Sequence, residues 1–532
     1  MLRAPATALA LIALLLAGCG DEDGAAGPGA AIPADAPVYL EADISGAGEQ
    51  HEQLDALLDE LGEIPLLGTP IDPNALITEA IEDLGRDNGV EISFAEDFEP
   101  WLGDSIALGY TSFAGDDPGF VLSIAVDDEE VARDALERIT GADAAQETEA
   151  EYDGVPYLIS GSGGYAVAVF DEQLVLSSVN DFERAVDASR GDSLADSDEL
   201  AEAAGVLPDE RLATLYVDLE GVGDQEAESD QERAELDAVR SFAPELFSQP
   251  LVAGVVAGDR TLALDVATGK LEDIPEVAAT SRLGEAPGDA FAAMAVAALG
   301  EQLSAALSRL EPLADATGHS GLAGLAEEFE RRVGVSLDEV LAGAGDAVAY
   351  GRGELPGDFV AALDVDFGGE SDAAARMLEG LERIAGKDDE TVLGPPLGGG
   401  DGFSAEPTPE IADTTPVTFI NAELGDDGLQ LLAAADKAAA EEPPPGGSLA
   451  DDERFQAASS ALGEDYAMVG FADLEPILDA AVGGGSILEL ALGDVPPERA
   501  IAGFLASKLG FAGLGVRYEG DFAIQRLQVG LR

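Results

Sequence analysis

The chain is poor in the side chains that most often carry chemistry in proteins. Its 532 residues include one cysteine and two histidines, His51 and His319. A disulfide needs two cysteines, and zinc sites draw mainly on cysteine and histidine, so we expect neither here. The sequence therefore offers few candidates for a nucleophile or a general base, and we predict no bound cofactor and no specific metal site.

Positive charge is also scarce. Lys and Arg number 26 against 107 Asp and Glu, which gives a formal net charge of −81. Phosphates of nucleic acids and anionic membrane surfaces would repel a body of this charge, so we predict no nucleic acid partner. The simplest interpretation is a solvated acidic surface, which also favours weak, nonspecific binding of cations.

Long apolar runs are absent outside the N-terminus. The run over residues 6–16 follows Arg3 and is short for a membrane span, but it suits the core of a signal peptide. It ends in a pattern that resembles the bacterial lipobox, formed by Leu16, Ala17, Gly18 and Cys19. In a lipobox the peptide is cut before the cysteine, whose sulfur then carries diacylglycerol. We therefore predict a signal peptide over 1–18 and an extracytoplasmic protein lipid-anchored to the cell membrane.

The residues that follow this pattern are small, acidic and rich in glycine. Residues 20–32 read GDEDGAAGPGAAI, a composition that cannot bury a core. We therefore predict that residues 19–32 are a lipidated cysteine and a flexible acidic tether. Contact with the membrane would then be made through the N-terminal lipid only, since no later segment is apolar enough to span.

Several segments occur twice in the same order. SLAD stands at 193–196 and again at 448–451, 255 residues later. LGDSIALGY at 102–110 is similar to AGDAVAYG at 344–351, and FVLSIAVD at 120–127 is similar to FVAALDVD at 359–366; PADAPVYLEADI at 33–44 likewise matches PGDAFAAMAVAAL at 287–299. We interpret this order as a tandem duplication, with repeats over 33–270 and 287–532 and a joint at 271–286.

In each copy SLAD precedes a run of helical periodicity. The pattern predicts that Asp196 caps a helix, that Glu199 completes a capping box, and that Asp451 is the equivalent cap. Leu194 and Leu449 stand before these caps, where a hydrophobic staple is expected. SLAD therefore indicates a structural motif, not an active site.

The changes of hydrophobic period predict the fold class. VYLEADI reads as a strand, EQLDALLDELG, NALITEAIEDLGRD and DEEVARDALERI read as helices, and 105–127 reads as a hairpin. Residues 156–179 predict two or three further short strands with glycine-rich turns. We therefore predict an α+β fold of two related halves, each a mainly antiparallel sheet with helices packed on it.

The segments PADAPVYLEADI, EPWLGDSIALGY and 171–222, placed after a signal peptide, resemble a bacterial family called domain of unknown function 3352. The resemblance implies a secreted or membrane-attached protein and covers most of the first half. The second half departs from it, because it has Gly343-Ala344-Gly345-Asp346 where the first half has Trp-Leu-Gly-Asp. The family pattern brings no catalytic residue with it.

Three local patterns come close to known chemistry. Residues 318–322 approach a nucleophile elbow, but the fifth residue is Leu322 and no histidine follows His319. Residues 161–166 match G-x-G-x-x-A, yet a strand-like segment follows, which predicts a hairpin turn. The acidic clusters at 127–130 and 388–390 lack EF-hand spacing.

These comparisons favour a non-enzymatic binding or scaffold protein of the cell envelope whose partner or ligand is unknown. Two alternatives stay open at this point. A solute-binding lipoprotein of a transporter would share the anchor but would have lobes with parallel strands. A carboxylate-based hydrolase could use some of the 107 acidic residues, although no pair of them stands out.

Overall fold

The structure is a computed structural model that describes most of the chain from residue 27 onward. It describes residues 27–62, 78, 93–113, 118–141, 148–160, 164–226, 233, 236–237, 239–241, 243–272, 274–275, 277–317, 324–355, 357–368, 371–387, 390–408, 417–425, 428–444, 446–463, 466–482 and 508–532. The chain divides into two compact units, Met1–Gly269 and Lys270–Arg532. The division falls where the first predicted repeat ends.

The first unit is an antiparallel sheet with helices packed on it. Its strands are β1 (Val38–Asp43), β2 (Leu102–Ser112), β3 (Gly119–Val126), β4 (Thr148–Tyr152), β5 (Val155–Ile159), β6 (Tyr165–Phe170), β7 (Gln173–Ser178), β8 (Ala213–Val217), β9 (Leu251–Gly258) and β10 (Thr261–Gly269). Its helices are the 3₁₀ turn η1 (Pro28–Ala31), α1 (Glu49–Leu61), α2 (Phe94–Asp97), α3 (Glu129–Gly141), α4 (Val179–Ala188), α5 (Asp198–Ala204), α6 (Leu219–Glu226) and α7 (Glu245–Ser248). The strand order is β10–β9–β8–β1–β2–β3–β7–β6–β5–β4.

The second unit is built in the same way. Its strands are β11 (Ala290–Val296), β12 (Ala347–Gly353), β13 (Phe359–Val365), β14 (Thr391–Gly394), β15 (Asp401–Pro407), β16 (Phe419–Gly425), β17 (Gly428–Ala434), β18 (Met468–Asp473), β19 (Leu509–Glu519) and β20 (Phe522–Leu531). Its helices are η2 (Arg282–Glu285), α8 (Leu299–Thr317), α9 (Leu325–Val333), α10 (Leu337–Gly343), α11 (Ser371–Ala385), α12 (Lys437–Glu441), η3 (Leu449–Asp451), α13 (Glu453–Leu462) and α14 (Leu474–Val482). The strand order is β20–β19–β18–β11–β12–β13–β17–β16–β15–β14.

The two strand orders are the same once β1 is matched with β11. In each unit the first strand lies in the middle of the sheet, paired with the second and the eighth strand of that unit. The predicted α+β class, the strand VYLEADI, the hairpin β2–β3 and the helix α3 are confirmed. The predicted helix at 74–87 lies outside the described residues, apart from residue 78.

A short segment precedes the first strand of each unit and lies against the sheet; we call it the strap. The first strap is residues 27–35 and the second strap is residues 282–289. The Leu194 N–H donates to the Ile32 carbonyl (2.8 Å), and the Leu449 N–H donates to the Ala286 carbonyl (2.6 Å). Pro33 also pairs with Ser193, and Pro287 with Ser448, as isolated antiparallel bridges. Both SLAD segments therefore hold the strap of their own unit.

The first strap corrects the predicted tether. Residues 27–32 were expected to be flexible, but Pro28–Ala31 form η1, and Ala31 and Ile32 are fully buried. Proline suits the first turn of such a helix, where its missing N–H has no partner to lose. Alanine and glycine are equally frequent in flexible and in closely packed segments, so composition alone misplaced the end of the tether.

The predicted helix caps are wrong by one residue. Ser197 caps α5, and its Oγ accepts from the N–H groups of Glu199 (3.2 Å) and Leu200 (3.4 Å). Asp452 caps α13, and its Oδ1 accepts from the N–H groups of Arg454 (2.9 Å) and Phe455 (3.0 Å). These two caps are again 255 residues apart, so the repeat includes them.

The aspartates of SLAD have a different partner. Asp196 Oδ2 accepts from Ser193 Oγ (2.7 Å), and Asp451 Oδ2 accepts from the Ser448 N–H (3.1 Å). Each aspartate closes the SLAD turn onto its own first residue, and the next residue, Ser197 or Asp452, caps the following helix. Glu199 accordingly completes no capping box at Asp196.

The leucines of SLAD are almost completely buried. Leu449 is 1% exposed and packs in a cluster with Leu283, Ala286 and Phe455. The second strap approaches its turn closely: a Cβ added to Gly284 would lie 3.2 Å from the Ala450 Cβ, so a larger residue would require the turn to shift by a few tenths of an ångström. The leucine and the glycine together bring strap, SLAD turn and sheet into contact.

We predict that Leu449→Ala lowers the free energy of unfolding by about 2–5 kcal/mol, since it opens a cavity beneath the second strap. Leu527→Ala is the matched control: Leu527 is 51% exposed, and its truncation should change stability by less than about 0.5 kcal/mol. Urea unfolding of the full chain, with hydrogen exchange to locate the change in the second unit, measures both. Equal effects of the two substitutions would contradict the role given to Leu449.

Candidate functional site

A row of titratable side chains follows one face of β1. Tyr39, Glu41 and Asp43 occupy alternate positions, so they point to the same side of the sheet. Tyr39 is 1% exposed and its hydroxyl donates to Glu41 Oε2 (2.7 Å). We call these three residues the β1 polar row; such a row is unusual because β1 lies in the middle of the sheet.

The first strap covers one end of this row. A Cβ added to Gly29 would lie 2.4 Å from the Tyr39 hydroxyl, so a glycine is needed where the strap crosses the tyrosine. Buried Gln173 links the strap to the sheet. Its Oε1 accepts from Ser123 Oγ (2.7 Å), and its Nε2 donates to the Gly27 carbonyl (3.4 Å). The strap therefore rests on polar groups of the first sheet.

Burial dominates the electrostatics of the row. It raises the pKa of Tyr39 well above its ordinary value and raises the pKa of Glu41, although the Tyr39 hydroxyl and the charge of Arg211 act in the opposite direction on Glu41. Burial also raises the pKa of Asp43, against hydrogen bonds from Ser45 and the nearby His51. These carboxyl groups therefore hold protons more tightly than carboxyl groups in water.

Arg211 is the cation that acts on the row, and it is held in place by neutral groups. Its Nε donates to Thr214 Oγ1 (2.7 Å) and its Nη1 donates to the Pro208 carbonyl (2.7 Å). No salt bridge joins Arg211 to Glu41 among the described residues, so Arg211 moderates the pKa of Glu41 from a distance.

The second unit has alanine along the same row. Tyr39 lies opposite Gly109 and Tyr216, and Ala293 lies opposite Tyr350 and Phe471 in the corresponding register. By the same register, the positions of Glu41 and Asp43 are filled by alanine at 295 and 297. The titratable row is therefore a feature of the first unit.

The sequence-predicted lipidation residues cannot be placed in this structure. Leu16, Ala17, Gly18 and Cys19 lie outside the described residues, and so does His319 with the elbow-like segment 318–322. His51 is described: it is buried on α1, with Nδ1 2.9 Å from the Ala47 carbonyl, so that Nδ1 carries the proton.

The other two candidate patterns have structural roles. Ile159 pairs with Ala166 in antiparallel fashion and β6 follows, as the hairpin prediction requires, while residues 161–163 of the predicted turn lie outside the described residues. In the cluster at 127–130, Asp128 Oδ1 accepts from two N–H groups at the start of α3, and Glu129 Oε1 accepts from the Glu172 N–H (2.8 Å). In the second cluster, residues 388–389 lie outside the described ranges.

The described part of the chain has neither a metal-binding cluster nor a membrane-spanning helix. Within it, no three His, Cys, Asp or Glu side chains lie close enough together to hold a metal ion. No described helix combines the length and the apolar character needed to cross a membrane.

The chain is thus an α+β protein of two units with one strand order. A sequence model of the family described as protein of unknown function DUF3352 matches residues 75–344. The chain belongs to this family, which confirms the resemblance seen in its sequence. The match covers most of the first unit and the beginning of the second. Among curated proteins, none matches this chain.

Solved structures of the treponemal protein TP0453 are similar to parts of the chain. Crystal form IV is 8% identical with a TM-score of 0.26, covering 46% of this chain and 81% of that one. Crystal form I is 9% identical with a TM-score of 0.24, covering 47% and 81%. Crystal form III is 8% identical with a TM-score of 0.25, covering 48% and 83%. TM-scores of this size carry no argument about fold or function.

Sequence reasoning missed the β1 polar row. VYLEADI was correctly predicted to be a strand, and its polar residues were compatible with an ordinary solvent-facing side. A signal was nevertheless present: the matching segment PGDAFAAMAVAAL has alanine at each of the three positions. Such a contrast between two copies of one strand marks a site that belongs to one copy.

We predict that Tyr39→Phe destabilises the first unit more at neutral than at acidic pH. A hydrogen bond to a charged carboxylate contributes about 1.5–3 kcal/mol and one to a neutral group about 0.5–1.5 kcal/mol, so the loss should grow as Glu41 ionises. Tyr216→Phe is the matched control, because Tyr216 of β8 lies opposite Tyr39 and is also buried. Urea unfolding between pH 4 and pH 8 measures both; the same pH profile for the two variants would contradict the assignment.

Proposed function

We propose that this chain is an extracytoplasmic lipoprotein, held at the membrane by a lipid on Cys19, that binds or scaffolds another component of the cell envelope without catalysing a reaction. The observation that carries the proposal is the run Leu16-Ala17-Gly18-Cys19 at the end of a short apolar segment. A thioether lipid needs a thiol, and Cys19 is the one cysteine of the chain.

The position of the first strap supports a short link between lipid and fold. The described residues begin at Gly27, eight residues after Cys19, and eight residues span about 27 Å at most. A lipid on Cys19 would therefore keep the first unit close to the membrane surface. The acidic character of the chain would hold its body off anionic lipids, which leaves the lipid as the contact with the membrane.

The shortage of candidate general bases supports the non-enzymatic part of the proposal. Nδ1 of His51 faces a backbone carbonyl, and the described residues place no Ser or Thr hydroxyl in hydrogen bond with this ring. The β1 polar row belongs to one unit, and the strap covers its Tyr39 end, which a substrate could reach only by displacing the strap. Binding through the outer surfaces of the units is the simpler role.

The solute-binding alternative is not favoured. It predicts lobes with parallel strands, whereas all the named strand pairs within each unit are antiparallel. No specific observation favours the hydrolase alternative either.

We also infer that the two units arose by tandem duplication. The same strand order, the same strap bridges and helix caps 255 residues apart support this origin. Asp218 and Asp473 add to it, because each Oδ1 accepts from the N–H two residues on at the start of α6 or α14 (3.0 and 3.1 Å). An experimental structure in which Leu194 does not superpose on Leu449 would contradict the inference.

We predict that Cys19→Ala abolishes lipid attachment. Cells expressing the full chain and fed a labelled fatty acid should label the wild-type protein and leave the variant unlabelled, because alanine has no sulfur to form the thioether. The variant should also leave the membrane fraction. Continued labelling of the variant would show that Cys19 is not the attachment site.

Crosslinking in the native envelope tests the binding role. Wild-type protein should give one reproducible crosslinked partner, and the Cys19→Ala variant should lose it once it leaves the membrane. Turnover of an ester, peptide or glycoside substrate by the purified chain would overturn the non-enzymatic part of the proposal while leaving the lipid anchor intact.

A further inference from the structure

We propose that ionisation of Glu41 weakens the hold of the first strap on its sheet, so that the start of the first unit loosens as the pH rises. The second strap should not respond, because alanine fills the corresponding position. This inference concerns the fold of the first unit and does not depend on lipid attachment to Cys19.

The geometry places the carboxyl group of Glu41 beneath the strap. A Cβ added to Gly27 would lie 3.8 Å from Glu41 Oε1, so this oxygen faces the first residue of the strap. The other carboxyl oxygen, Oε2, accepts from the buried Tyr39 hydroxyl, which the strap covers at Gly29. Lifting the strap would give water access to both oxygens.

The neighbouring charges do not neutralise this group by contact. On β1 itself the titratable neighbours are Tyr39 and Asp43, and before β8 the neighbour is Arg211, which forms hydrogen bonds to Thr214 and Pro208. His51 of α1 and Asp104 of β2 act on Asp43 at the far end of the row. Beneath the strap, β3 and β7 contribute the neutral Ser123 and Gln173.

The strap itself carries one acidic group, and it points elsewhere. Asp35 forms an ion pair with Arg184 of α4, which also contacts Asp181 (2.9 Å). Asp35 is therefore paired on the α4 side, outside the row. Glu41 is the carboxyl group under the strap that has no cation in contact.

The direction of the effect follows from burial. Burial raises the pKa of Glu41 while the strap is closed, so the closed form holds the proton more tightly than the open form. The closed strap is therefore favoured at low pH, and this advantage is lost as the pH rises through the pKa of Glu41 in the closed form. Hydration of the charged carboxylate then favours opening.

Hydrogen exchange on the full chain between pH 4 and pH 8, corrected for the intrinsic exchange rate, tests this proposal. The reporters are the amides of Ala34 and Leu194, whose hydrogen bonds join the strap to the SLAD turn, with Gly288 and Leu449 as the equivalents in the second unit. In the wild type, protection at Ala34 and Leu194 should fall with rising pH. Between the pKa of Glu41 in the open strap and its pKa in the closed strap, protection should fall by up to about tenfold for each pH unit.

Glu41→Gln should keep the first strap protected across the whole range, since the amide accepts the Tyr39 hydrogen bond without titrating. Asp43→Asn is the matched control and should keep the pH dependence, because Asp43 lies at the other end of the row. Four results would overturn the proposal: constant protection in the wild type, an equal fall in the second unit, a fall that persists in Glu41→Gln, or its loss in Asp43→Asn.

Discussion

Each unit depends on one buried contact, in which the leucine of SLAD packs beneath the strap and its N–H bonds to a strap carbonyl. The strap precedes the central strand, whereas SLAD follows the helix after the seventh strand of each unit, α4 in the first unit and α12 in the second. The contact therefore joins distant parts of the chain across the middle of the sheet. Because Leu194 and Leu449 are each 1% exposed, removing either side chain would leave a cavity at this point.

The two units keep this frame and differ in what lies beneath it. Asp35 and Asp289 each stand two residues after the proline that pairs with the SLAD serine. The arginine that pairs with each aspartate comes from a different element. Arg184 of α4 pairs with Asp35, whereas Arg352 of β12 lies 3.6 Å from Asp289. The polar row beneath the first strap is alanine in the second unit. The frame thus requires a leucine, a close glycine and a backbone bond, and it tolerates changes in the polar groups around them.

Much of the architecture could be predicted because its signals are local. The alternation in VYLEADI, the apolar spacing of α3 and the recurrence of SLAD each depend on a few neighbouring residues. The caps were misplaced by one residue because Asp196 and Ser197 are both good capping residues, and only the backbone of the SLAD turn decides between them. The end of the tether was misplaced because Ala31 and Ile32 are buried by segments far away in the sequence.

By itself the sequence determined several strands and helices of the first half, the two-copy pattern, the family and the candidate lipid site at Cys19, since each of these is written in residues that are neighbours along the chain. The tertiary structure alone decided where the strap lies and which charges it covers. Glu41 has an ordinary carboxyl group; its pKa is raised because β1 lies at the centre of the sheet and the strap lies against it, so that it is partly removed from water. Desolvation depends on what surrounds a group in space, and that is settled only when the chain has folded.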